Sequence, residues 1–113
     1  MFRVILLSFI LAATSVAANS GNLIERKREV VLKVGQSVVV NGIRGECGKR
    51  PTGLQLKKTR KTKLGVMSFG RWGVKESDRC GGMTPAIEIV YTARKKGSEV
   101  VKSDGSRIKI TVK

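Results

Sequence analysis

The chain has 113 residues, with 23 lysines and arginines against 8 acidic residues, giving a formal charge of +15 at pH 7. That length suits one domain, and one this small usually needs a covalent staple beside its modest core. The sequence contains no histidine; this excludes Ser–His and Cys–His nucleophilic pairs and removes the side chain that normally changes charge between about pH 5 and 8.

Met1-Phe2-Arg3 is a short positive start, Val4 to Ala13 is an apolar run broken only by Ser8, and Val16-Ala17-Ala18 supplies small residues. This layout reads as a secretory signal peptide over residues 1–18, cleaved after Ala17 or Ala18. About ten apolar residues are too few for a membrane-spanning helix, which needs roughly twenty. The expected location is therefore the periplasm or the cell exterior. In that setting the two cysteines, Cys47 and Cys80, read as one structural disulfide. A metal or redox pair finds no support, because there is no C-x-x-C spacing and no histidine.

Residues 19–28 read as a flexible basic arm with Arg26-Lys27-Arg28 in a row, and residues 29–113 as a single domain. Glu29 to Val34 is a valine-rich strand, Gly35-Gln36 a turn, and Ser37 to Asn41 a second strand. Gly42 to Gly53 carries four glycines and a proline and reads as a loop. Gly53 to Lys57 alternates apolar and polar residues, as a half-buried strand does. Lys57 to Lys63 is strongly basic and falls at a strand end and exposed hairpin tip. Leu64 to Phe69 alternates again, with Leu64 and Val66 on one face and Met67 and Phe69 on the other, before Gly70-Arg71-Trp72-Gly73 interrupts. Val74 to Cys80 is polar and charged, and Gly81-Gly82 turns.

Ala86 to Ala93 is the clearest strand, with Ile87, Ile89 and Tyr91 on one face. After a turn at Arg94 to Gly97 come a strand over Ser98 to Lys102, a hairpin signal at Asp104-Gly105, and a last strand over Arg107 to Val112. Ile108, Ile110 and Val112 share its core face, while Arg107, Lys109 and Thr111 face water. Seven short strands, glycine-rich turns and no helical periodicity predict an all-β sandwich or barrel.

The run Cys80-Gly81-Gly82, Ala86 to Ala93 and Gly97-Ser98-Glu99-Val100-Val101 resembles the closing half of small bacterial immunoglobulin-like domains of secreted and surface proteins. Tyr91, Gly97 and Ser98 match that pattern, whereas Glu99 stands for the usual aspartate and Val101 for the usual aromatic residue. The resemblance covers about a quarter of the chain. It implies an Ig-like antiparallel β-sandwich that binds or spaces and does no chemistry. The replaced aspartate argues against calcium binding between domains.

Without histidine, and with no acidic residues at a recognised motif spacing, catalysis is hard to assemble short of a carboxylate pair formed in space, and no cofactor is expected. Glu76 and Asp78 beside Lys75 and Arg79 read as a charged turn, with a cation site as the alternative. The strongest functional candidate is the basic run Lys57, Lys58, Arg60, Lys61 and Lys63, with Arg71 and Trp72 downstream. The basic run reads either as a solvated strand end or as a site for an anionic envelope polymer or acidic protein. Trp72 reads either as core beside the disulfide or as an exposed anchor of the kind common at interfaces. Phe69 is the only phenylalanine beyond the signal segment, so stacking on single-stranded nucleic acid is disfavoured. The expected function is an exported, non-enzymatic binding module. The alternatives are a secreted cationic effector, or an enzyme inhibitor presenting the disulfide-framed stretch from Cys47 to Pro51. No basic helix with an apolar face, the usual membrane-active device, is visible.

Overall fold

The structure is a computed structural model that describes residues 22–113, so the expected signal peptide lies outside the described residues. Valine- and isoleucine-rich segments with period-two patterning form seven strands: β1 (Glu29–Leu32), β2 (Ser37–Arg44), β3 (Arg60–Lys61), β4 (Gly65–Ser77), β5 (Gly82–Ala93), β6 (Gly97–Ser103) and β7 (Ser106–Val112). They make two sheets, one of three strands in the order β1-β7-β6 and one of four in the order β2-β5-β4-β3. All pairings are antiparallel except β1 with β7.

The core lies between the sheets. Val30, Leu32, Val101, Ile108, Ile110 and Val112 come from the three-stranded sheet. They pack on Val40, Met67, Ile89, Tyr91 and Ala93 of the four-stranded one. The alternation expected in β7 holds, with Ile108 and Ile110 fully buried and Val112 nearly so. Met67 and Phe69 share the core face of β4. Leu64 is buried as well, because it sits in the turn before β4, where strand alternation does not apply. Asp104 and Gly105 both take positive φ (49° and 79°), the conformation a two-residue hairpin requires.

Several strands run further than the sequence reading, β2 to Arg44, β4 to Ser77 and β5 from Gly82, and Arg60–Lys61 add a short one; three segments differ in kind. Gly53 to Lys57 is a loop closed by a turn in which Lys58 N–H donates to the Gln55 carbonyl. Alternation marks a half-buried surface, but a strand also needs a pairing edge. The free edge of β4 is taken at Val66 and Met67 by Lys61 and Arg60 and at Val74 by the N-terminal segment. Leu56 is left exposed.

Gly70 to Gly73, read as an interruption, lies inside one 13-residue strand. A bulge between Phe69 and Trp72 absorbs the extra residue. Gly70 permits it, since a Cβ there would stand 2.6 Å from Glu88 Oε1.

The arm expected to be loose over 19–28 is docked from Asn22 onward. Val74 N–H donates to the Asn22 carbonyl (2.7 Å), Ile24 N–H to the Val74 carbonyl (2.8 Å) and Lys27 N–H to the Val40 carbonyl (2.8 Å). Ile24 is buried against Gly42 and Ala86. Two adjacent apolar residues, Leu23 and Ile24, inside a polar and charged stretch are a weak periodic signal, yet the buried one, Ile24, holds the segment down.

Cys47 and Cys80 are bonded, with Cα atoms 5.4 Å apart. The bridge ties the loop after β2 to the tip of the β4–β5 hairpin. Gly48 N–H donates to the buried Thr84 hydroxyl, and the Arg50 guanidinium lies 4.5 Å from the centre of the Trp72 ring.

Candidate binding surface

The acidic side chains explain how the basic ones are left. Two of the eight carboxylates point inward and act as internal acceptors. Glu99, on β6, accepts from the Thr62 hydroxyl (2.7 Å), the Tyr91 hydroxyl (2.7 Å) and the backbone N–H groups of Lys63 and Leu64 (both 3.0 Å). Burial pushes its pKa up, but the hydrogen bonds from Thr62, Tyr91, Leu64 and Lys63 together outweigh that and hold it below the usual carboxylate value. Tyr91 is fully buried, and burial together with its bond to Glu99 pushes its phenol up to about 12. The carboxylate thus fastens the turn after β3 to β5 and β6, across the open side of the two sheets. The Tyr91 ring lies in the core with its hydroxyl on Glu99, and Gly97 turns the chain with a positive φ (142°). The role of Glu99 is not visible along the sequence, because its donors arrive from residues 8 to 37 positions away.

Glu88, 5% exposed, fills the corresponding place on the opposite face of β5. It accepts from Asn22 Nδ2 (2.7 Å), from Arg71 N–H (2.8 Å) and from the Arg71 guanidinium (3.5 Å). Burial raises its pKa, and these hydrogen bonds and the Arg71 charge more than reverse it. A third polar link uses Lys75. Its ammonium donates to Asn41 Oδ1 (2.8 Å) and the Gly42 carbonyl (3.0 Å), while Asn41 Nδ2 donates to the Ser103 carbonyl (2.9 Å). Desolvation lowers the Lys75 pKa, partly countered by Asp104.

Among the described residues, only Lys49–Glu46 and Arg71–Glu88 pair a cation with a carboxylate within 4.0 Å. The cations of the basic run are therefore uncompensated. Lys57 and Lys58 lie on the exposed approach to β3, Arg60 and Lys61 form β3 at the sheet edge, and Lys63 is in the following turn. Arg60 shares a sheet face with Met67, while Lys61 lies beside Val66 on the other face.

Arg60 also reaches across to the second sheet, where its guanidinium donates to the Lys102 carbonyl (3.0 Å). That contact brings in a cation outside the predicted run. Lys102 lies directly opposite Arg107, and Lys109 lies opposite Val100. Like charges facing each other across a strand pair destabilise it, and no carboxylate relieves this pair. Arg107 and Lys109 were legible as water-facing. What the sequence could not show was that the β6–β7 hairpin comes beside β3.

The structure does not bring Arg71 and Trp72 to this edge. Arg60 pairs with Met67, whereas Trp72 pairs with Ile87 beyond the bulge. At roughly 3.3 Å per residue, that is on the order of 15 Å further along β4. Arg71 is held by Glu88, and Trp72 is half-buried beneath Arg50. Trp72 is thus neither core nor free anchor.

Between the basic edge and the sheets lies a cleft of about 480 Å³. Ile43, Leu54, Met67, Phe69 and Ile89 form its apolar floor, and Lys58, Arg60, Lys102 and Asp104 stand among its lining residues. No group of three or more potential metal-ligating side chains exists among the described residues, and no described helix is long and apolar enough to cross a membrane. Compared with known proteins, the chain matches no family model, no curated sequence and no solved structure.

Proposed function

We propose that this protein is an exported, non-enzymatic binding module with an Ig-like arrangement of its two sheets, which holds an anionic polymer of the cell envelope along its basic edge. The observation that carries this reading is the joining of Lys57, Lys58, Lys61 and Lys63 to Lys102 and Arg107 through Arg60, with no carboxylate in pairing range. The acid beside this edge, Glu99, is turned inward onto Thr62, Tyr91 and the backbone N–H groups of Lys63 and Leu64. A field of one sign attracts polyanions at long range and raises their association rate. The disulfide fits an oxidising compartment, and the N-terminal eighteen residues supply the export signal.

Binding to polyphosphate or dextran sulfate should weaken steadily as salt rises, because screening shortens the reach of exposed charges to about 8 Å at physiological ionic strength. The variant K57E/K58E/K61E/K63E should lose about tenfold or more in affinity, since four reversed charges remove the attraction at its source. Its circular dichroism spectrum should stay unchanged, because these side chains are exposed. Affinity that is flat between low and physiological salt, or unaltered in the variant, would rule out the basic edge as the site.

A further inference from the structure

The cleft beside the basic edge has a composition that polymer binding does not require. Its floor comes from the inner faces of β2, β4 and β5 together with Leu54 from the loop before β3. Ile43 and Phe69 are only partly buried, packed at the margin of the core instead of inside it. They leave an apolar surface of ligand-binding size, since small-molecule sites run from about 300 to 1,000 Å³ and combine apolar walls with a few fixed polar groups. Here the charged lining residues are mostly cationic: Lys58, Arg60 and Lys102, against the single carboxylate of Asp104. Arg60 is oriented by the Lys102 carbonyl, which occupies one part of its five-donor fork and leaves the rest for an anion.

A peptide fits this floor poorly. The inner faces of the strands present side chains, so the amide groups of a bound peptide would lose water without gaining partners. A hydrocarbon chain has no such groups. Each methylene it buries favours binding by roughly fourfold, and a terminal anion could then meet the cations at the mouth. We propose that the cleft binds the single acyl chain of an anionic amphiphile, with its methylenes on Ile43, Leu54 and Phe69 and its head group against Lys58, Arg60 and Lys102. The proposal shares cations with the polymer-binding reading but also requires the apolar floor, so the two can fail separately.

Titration calorimetry on the oxidised protein tests it, with dodecyl phosphate, octyl phosphate, ethyl phosphate and dodecyl maltoside, each below its micelle concentration. Dodecyl phosphate should bind at one site per chain, and octyl phosphate more weakly. Ethyl phosphate and dodecyl maltoside should each bind at least about tenfold more weakly, because one lacks the buried methylenes and the other lacks the charge. Leu54→Gln, in a loop and away from the strand pairings, puts an uncharged polar group on the floor and should reduce dodecyl phosphate affinity by about tenfold or more while polyphosphate binding stays unchanged. The wild-type chain-length series needs no variant and stands even if that substitution disturbs the loop. Saturable binding absent for dodecyl phosphate, affinity independent of chain length, or equal binding of dodecyl maltoside would each overturn the proposal. Polyphosphate binding that persists in any of those cases would leave the polymer reading intact.

Discussion

Glu99→Ala is expected to destabilise the domain by about 3 kcal/mol, because it strips a charged acceptor from several donors at once, one of them a buried phenol. For a domain of this size such a loss lowers the melting temperature by roughly 15 °C. The Tyr91 hydroxyl, at the end of a fully buried side chain, would lose its charged acceptor and keep only the neighbouring Thr62 hydroxyl. Glu99→Gln retains one acceptor oxygen without the charge and should cost roughly half as much. Urea unfolding of the two variants measures both. A cost below about 1 kcal/mol for the alanine variant would mean that the turn after β3 is not fastened through this carboxylate.

The same group sets an acid limit. The folded-state pKa of Glu99 lies below the ordinary glutamate value of 4.5, so its stabilisation is fully present above that value and is lost as pH falls through the folded pKa. Glu88 acts in the same direction. Glu99→Gln should therefore flatten part of the decline in stability below about pH 4.5. Tyr91 has the opposite sign, with a folded pKa raised from 10.0 to about 12. Its contribution is complete below pH 10.0 and falls as the pH climbs toward 12.

Removing the disulfide by Cys47→Ser and Cys80→Ser together should cost roughly 3–4 kcal/mol, the chain-entropy value for a closed loop of this length. The bond spans 33 positions in sequence. It also keeps the loop after β2 beside β5 and β4, where Gly48 reaches Thr84 and Arg50 reaches Trp72. Hydrogen exchange should accordingly rise first over Gly45 to Thr52 and in the β4–β5 hairpin tip. Trp72 fluorescence should shift as Arg50 moves off the ring. A urea midpoint unchanged between oxidised protein and double variant would show that the sheets hold this end without the bond.

The elements read correctly from sequence are those whose information is local. The alternation of Ile108, Ile110 and Val112, the Asp104-Gly105 turn and the long β-branched stretch through Ile87, Ile89 and Tyr91 each specify a strand or turn within a few residues. Gly53 to Lys57 carries the same alternation and is a loop, since the edge it needed is occupied by Arg60, Lys61 and the N-terminal segment. The Gly70 to Gly73 stretch breaks the pattern without breaking the strand, because a bulge opposite Glu88 accommodates it. Half of the candidate surface was legible in the same way. The run from Lys57 to Lys63 is visible as composition, whereas Lys102 and Arg107 join it only because β6 and β7 come beside β3 in space.

Sequence by itself determined the all-β character, the cysteine pair and the large excess of positive charge, since these follow from residue type, short-range period and count. Tertiary structure alone decided where that charge is left bare. It placed Glu99 within reach of Thr62, Lys63, Leu64 and Tyr91, and Glu88 within reach of Asn22 and Arg71, turning two carboxylates from surface counter-charges into internal fasteners. A carboxylate's partners are set by distance in space, and period and composition along the chain do not encode that distance.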